Sequence, residues 1–136
     1  TQVVFACGGG IYTSAVYAAE EHDGKVIGVD VDQHPKIGDT CITSAMKGLG
    51  SAVENALDCY FNGNWASIGG KSEQLGLSQG DYLGLPTDEA SWGFTTFTVD
   101  EYETVLAGIK DGSIAVSNDT ENQPEVGSHV TVDYVE

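Results

Sequence analysis

Three consecutive glycines, Gly8, Gly9 and Gly10, separate a short apolar run from a segment with helical spacing, and an acid, Asp30, follows Gly10 by 20 residues. Glycines at the carboxyl end of a strand let a ligand approach the backbone N–H groups that open the next helix. Such a place suits hydroxyls, carboxylates or phosphates. An acid closing the following strand lies beside that loop and can accept hydrogen bonds from ribose hydroxyls. The combination points to a sugar-bearing ligand, and Tyr12, inside the same loop, is placed to touch it. Two other readings stay open here. The glycines could serve a dinucleotide, although the G-x-G-x-x-G pattern breaks at Thr13, where its third glycine should stand. They could also do no more than allow a tight strand-to-helix turn.

Other chemistry has less support. Ser14, Ser44 and Ser51 lack the G-x-S-x-G frame of a nucleophile elbow. His22, His34 and His129 fall at a helix end, in a loop and near the last strand, with no pairing visible in sequence. Cys7, Cys41 and Cys59 lie 34 and 18 residues apart and form no C-x-x-C pair, so they read as three buried thiols, or as one disulfide and a free thiol in an oxidising compartment, rather than a zinc site. Trp65 and Trp92 stand in loop-like surroundings, where an indole either stacks on a base or fills the core. Nothing in these residues requires an enzyme, a metal or a cofactor.

Charge narrows the partners. Asp and Glu number 21 against five Lys and no Arg, a formal net charge of -16. A nucleic-acid groove needs clustered Lys and Arg to neutralise phosphates, and this chain has none. The same charge repels anionic lipid surfaces and implies a well-hydrated acidic exterior. No calcium-loop spacing accompanies it, since Asp30-Val-Asp32 is too short a match. No window reaches 18 apolar residues, and the first residues do not have the form of a signal peptide.

The elements that must position Asp30 and the glycines follow from periodicity. Val3 to Cys7 reads as a buried strand ending at the glycines. Tyr12, Ala15, Val16 and Ala19 recur at helical spacing, with Thr13 or Ser14 as a cap and Asp23-Gly24 as a stop. Lys25 to Asp30 is a second apolar strand, so the first 30 residues form the strand–helix–strand unit of a parallel sheet. Residues 31 to 39 read as a loop before a short strand from Cys41 to Ala45. Ser51 to Glu54 has the form of a capping box, opening a helix with Val53, Ala56, Leu57, Tyr60 and Phe61 on one face and Asn62-Gly63 as its stop. Gly69 to Pro86 reads as two short strands joined at Gln79-Gly80-Asp81. A second capping box, Thr98 to Glu101, opens a helix that stops at Gly112. Ser113 to Val116 and Val130 to Val135 read as strands around a polar excursion from Asn118 to Gly127. The length, 136 residues, suits a single α/β domain.

Four stretches in order, Phe5-Ala-Cys-Gly-Gly-Gly10, Gly28-Val-Asp-Val-Asp-Gln33, Thr43-Ser-Ala-Met-Lys47 and Gly84-Leu-Pro-Thr-Asp88, resemble one known family. It is the basic membrane lipoprotein family, the substrate-binding proteins of bacterial ABC-type nucleoside importers, which includes purine nucleoside receptor lipoproteins. Lys47 stands 17 residues after Asp30, as the family pattern requires. The resemblance covers about residues 3 to 117 and leaves 118 to 136 as a divergent tail. Cys7 and Gly8 depart from the usual small apolar residue and alanine.

The resemblance implies a Rossmann-like, parallel-sheet portion of a type I periplasmic-binding-protein fold, in which two lobes close on a nucleoside without catalysis or cofactor. Gly9 and Gly10 would approach the ribose through their backbone, Asp30 would accept from its hydroxyls, and Lys47 would reach the same sugar or buttress Asp30. The chain would be the C-terminal portion of an extracytoplasmic, lipid-anchored receptor that delivers its ligand to an ABC permease. The N-terminal lobe, with its anchor and base-reading residues, would lie upstream of Thr1. The helix after Lys47 would then fold back onto the sheet or be buried in a homodimer. A sugar receptor of the same fold, a Rossmann-type nucleotide-binding enzyme and an assembly-only piece are the alternatives.

Overall fold

The computed structural model describes residues 2–134. Its centre is a four-stranded sheet of β1 (Val3–Phe5), β2 (Lys25–Asp30), β3 (Cys41–Lys47) and β4 (Leu83–Gly84), arranged side by side in that order. β1, β2 and β3 are parallel, with Val4 opposite Val26 and Val29 opposite Ala45. β4 runs antiparallel, pairing Leu83 with Lys47 and Gly84 with Met46. The architecture is therefore α/β, as the apolar strands and the helix between them require, with one antiparallel strand added to the parallel set.

Close packing fixes β2 against β3. A Cβ on Gly28 would lie 2.5 Å from Ser44 Oγ and 2.9 Å from the Gln33 side chain. Val26 and Ser44 are fully buried, and Val29, Cys41 and Thr43 nearly so. Gln33 reaches back into this contact. Its N–H donates to Ser44 Oγ at 3.0 Å, and its Oε1 accepts from Val29 N–H at 3.4 Å.

Of the helices, α1 (Tyr12–Glu21) crosses between β1 and β2 and buries Ala19. It begins from a 3-10 turn at Gly9–Ile11, and no side chain caps it. Thr13 Oγ1 instead donates to Gly10 C=O at 3.0 Å. Residues 31–39 are not a plain loop. They hold the short α2 (His34–Ile37) and the start of a 3-10 turn, Gly38–Thr40, that feeds β3. The last helix, α4 (Val99–Asp111), has the expected capping box: Glu101 N–H donates to Thr98 Oγ1, and Thr98 N–H donates back to Glu101 Oε2. It stops at Gly112, whose φ of 82° lies in the left-handed region.

α3 (Leu49–Phe61) departs from expectation in two ways. It starts at Leu49 with Gly48 as its N-cap and makes no side-chain cap, so the Ser51–Glu54 capping box does not form. It also does not fold back onto the sheet. Leu49, Val53, Leu57, Tyr60 and Phe61 are all exposed, Phe61 by 78%. Among the described residues Tyr60 has only local aromatic neighbours, with its ring edge-on to Phe61 and Trp65 at 5.3 and 6.2 Å.

Further strands expected from sequence are also absent among the described residues. Gly69 to Pro86 forms turns and only the two-residue β4. Ser113 to Val116 and residues 130–134 are irregular and exposed, and Val135 lies outside the described residues. Of the three thiols, all free, only Cys41 is buried. Cys7 is exposed and Cys59 half-buried.

Two substitutions test this packing by chemical denaturation. Gly28→Ala should destabilise the protein by about 1–3 kcal/mol, the cost of forcing atoms into a filled site. Phe61→Ser, on the uncovered face of α3, should change stability by no more than about 0.5 kcal/mol. A larger loss would mean that α3 does pack against the body of the chain.

Candidate functional site

The carboxyl ends of β1, β2 and β3 lie along one edge of the sheet, because the three strands are parallel. Ligands in open α/β sheets bind at such an edge. The glycine loop leaves β1 there, β2 ends there at Asp30, and β3 ends there at Lys47.

Gly9 is held in the left-handed region, with φ of 57°, and a Cβ at Gly9 or Gly10 would meet no atom within 4 Å. Gly9 thus answers a backbone need, and the surface above both residues is open. Gly8 is different: a Cβ there would strike the Ile11 side chain at 2.6 Å. Tyr12 opens α1 and is half-buried. Among the described residues, no hydrogen bond or ion pair joins Gly9, Gly10 or Tyr12 to Asp30 or Lys47. The shared sheet edge is what relates the two groups.

Asp30 and Lys47 do meet. Lys47 Nζ lies 2.6 Å from Asp30 Oδ1, with the lysine side chain 55% and the aspartate side chain 38% exposed. Asp30 Oδ1 is itself shielded from solvent, and among the described residues Lys47 is the one charged group paired with it. Adjacent parallel strands produce this pair: Asp30 is in register with Met46, so the next residue of β3 carries its ammonium to the end of β2. The Asp30 carboxylate, by its close contact and its charge, holds the Lys47 ammonium above the ordinary lysine range.

The backbone at Asp30 is unusual. Its φ is 70°, and Val31 N–H donates to Val29 C=O at 2.9 Å, closing a three-residue turn around it. A γ-turn of positive φ is rare and strained, although aspartate tolerates it better than most residues. Asp32 and Gln33 secure the chain just beyond. Asp32 Oδ1 accepts from His34 N–H at 3.0 Å, and Asp32 Oδ2 accepts from Ser91 Oγ at 2.6 Å. In the G-V-D-V-D-Q run, the first acid faces Lys47 while the glycine, second acid and glutamine are engaged in architecture.

Two cavities flank the pair. A cleft of about 260 Å³ is lined by Asp30, Asp32, Lys47 and Asp81. An apolar cavity of about 410 Å³ lies between the sheet and α4, lined by Phe5, Cys7, Leu83, Tyr102 and Val105 among others. Lys47 borders both. The segment carrying Asp81 is pressed against β3: Gly48 N–H donates to Tyr82 C=O at 2.7 Å, and a Cβ on Gly48 would overlap Asp81 C=O. Asp81 pairs in turn with Lys110 at 2.6 Å, and that ammonium lowers the Asp81 carboxyl below its usual range.

Sequence reasoning did not single out Asp32, Gln33, Ser44, Ser91, Asp81 or Lys110. A signal existed only for the first three, as members of the two motifs that frame Asp30 and Lys47. Trp92 fills a cluster with Phe94, Phe97 and Tyr102, at ring distances of 5.0 to 5.8 Å, and its Nε1 donates to Phe97 C=O. Trp65 is a neighbour of the exposed Tyr60. Among the described residues, no group of three or more His, Cys, Asp or Glu could hold a metal ion, and no helix is long and apolar enough to cross a membrane.

The ion pair gives a direct test. A raised lysine pKa contributes stability that is fully present below the unfolded value near 10.5 and is lost as pH rises through the folded value. The Asp30–Lys47 contact should therefore persist across the neutral range. In Asp30→Asn the Lys47 titration, followed by NMR, should fall back toward the ordinary lysine value, and an unchanged titration would show that Asp30 is not its partner.

No curated protein sequence matches the chain. Residues 1–126 match the family model described as ABC transporter substrate-binding protein PnrA-like. That match takes in the glycine loop, Asp30, Lys47 and α4, and the chain belongs to this family of ABC transporter substrate-binding proteins.

Proposed function

We propose that the chain is the C-terminal portion of an extracytoplasmic nucleoside receptor of an ABC importer, binding without catalysis. Asp30 accepts hydrogen bonds from the ribose hydroxyls, Lys47 neutralises and orients that carboxylate, and the backbone at Gly9 and Gly10 lies against the sugar. Tyr12 contributes contact area at the rim.

The observation that carries this reading is the Asp30–Lys47 pair at the carboxyl edge of the sheet, 2.6 Å apart and next to the open glycine turn. A charge-compensated carboxylate suits hydroxyl donors better than an anion. The cleft is lined by three carboxylates, of which Asp30 is paired with Lys47 and Asp81 with Lys110, so Asp32 leaves an excess of negative charge. Such a lining repels phosphate, which favours a nucleoside over a nucleotide and weighs against a Rossmann-type nucleotide enzyme.

In this reading a first lobe covers the uncovered apolar face of α3, supplies the base contacts and closes the cleft. The membrane anchor and the permease contact belong to the full-length protein. An open half-site leaves much of a small ligand wet, so this chain alone should bind weakly.

Calorimetry at millimolar ligand, comparing adenosine with its 5′-monophosphate, tests the reading. Adenosine should bind more tightly, and Asp30→Asn should weaken it by about 10- to 100-fold, the worth of hydrogen bonds to a charged group. Tighter binding of the phosphate, or full retention of adenosine affinity in Asp30→Asn, would sink it.

A further inference from the structure

We propose that Ser91 is a positioning residue for the Asp30–Lys47 pair, acting through Asp32 to hold the strained turn at Asp30. Strained backbone persists only where the surroundings over-determine it. Asp30 sits at φ 70° inside a three-residue turn, and the chain leaving that turn is held at successive points. Gln33 ties it to β3 through Ser44 and to β2 through Val29 N–H. Asp32 ties it to a distant loop, because its Oδ2 accepts from Ser91 Oγ at 2.6 Å across 59 residues of sequence.

That loop is itself anchored. Ser91 is 2% exposed, and its N–H donates to Asp88 C=O at 3.1 Å and to Asp88 Oδ1 at 3.2 Å. Two residues on, Gly93 N–H donates to Ile42 C=O at 2.8 Å, and a Cβ on Gly93 would lie 2.7 Å from Ile42 Cα. The Ser91 hydroxyl therefore stands at a fixed height above β3 and gives Asp32 one defined place. A buried hydroxyl donating to a carboxylate is among the stronger hydrogen bonds available to a side chain. Without it Asp32 keeps only the His34 N–H, two residues away, which moves with the same turn. Asp30 could then relax toward ordinary extended backbone, which would turn its carboxylate away from Lys47.

The proposal rests on the ligand role given to Asp30 only for its effect on affinity. Its primary readout is the titration of Lys47 in the full chain, measured by NMR without ligand. Ser91→Ala should lower the Lys47 pKa by at least half the shift produced by Asp30→Asn, while Ser91→Thr, which keeps the hydroxyl, should restore the parent titration. Should Ser91→Ala not fold, the near-isosteric Ser91→Cys, a much weaker donor, gives the same comparison. A Lys47 titration identical to the parent in a folded Ser91→Ala or Ser91→Cys variant overturns the proposal. A lowered titration supports it whether or not adenosine binds, so failure of the nucleoside reading and failure of the positioning role are told apart.

Discussion

The contact between β2 and β3 at Gly28 is the constraint on which the candidate site depends. No side chain fits there: Ser44 Oγ and the Gln33 side chain already occupy the space a Cβ would take. Because Gln33 must return to this point only five residues after Gly28, the intervening chain has to reverse quickly, and it does so in the tight turn at Asp30. Glycine at 28 thus serves the acid at 30. The same contact sets the register that brings Lys47 to the end of β2, since Gly28 stands opposite Ser44 and Asp30 opposite Met46. Packing, backbone strain and the ion pair are three consequences of one close approach.

Burial elsewhere is sparse, and that shapes what the chain can do alone. Among the described residues the buried hydrophobic side chains are Ala6, Ala19, Val26, Val29 and Cys41, three of them on the inner strands, while Phe5 and Leu83 on the outer strands are about half exposed. The helix with the broadest apolar face, α3, leaves that face uncovered. A helix of this kind draws most of its stability from tertiary packing rather than propensity, so α3 is the element that gains most from a covering partner. The apolar cavity between the sheet and α4 belongs to the same pattern of faces brought near one another without being filled.

Sequence was most informative where local signals and tertiary demands agree. β2 announces itself as an apolar run, and its Val26 and Val29 are buried in the sheet. α4 was legible at both ends, since Thr98, Glu101 and Gly112 each satisfy backbone groups with local chemistry alone. Ser51 and Glu54 offered the same pattern and misled, because Gly48 and Leu49 already continue the chain into helix and leave Ser51 inside the first turn. Val130, Val132 and Tyr134 alternate as a strand should, yet alternation needs a neighbouring edge to become a ladder, and these residues have none among those described. Asp30 was legible from its place after the glycines, and Lys47 as its partner only through the family resemblance that the two motifs carry. The parts of Asp32, Ser44 and Ser91 were not, because each depends on contacts across 11 to 59 residues that no local pattern encodes.

Electrostatics separates the site from the rest of the surface. A chain with net charge -16 has a diffuse negative field that salt screens over about 8–10 Å, so what a bound molecule meets is set by the nearest charges. Lys110 sits on Asp81 and Lys47 on Asp30, which spends two of five lysines within one small region. Neither pair is deeply buried, so neither contributes much to stability; their effect is to fix where carboxylate oxygens stand and how much charge they present. Were Lys47 absent, Asp30 and Asp32 would line the cleft with uncompensated charge beside the Lys110-paired Asp81 and favour a cation. With Lys47 in place the cleft keeps its acceptor oxygens while losing part of its field, which is the balance a neutral, hydroxyl-bearing ligand of the kind proposed would meet.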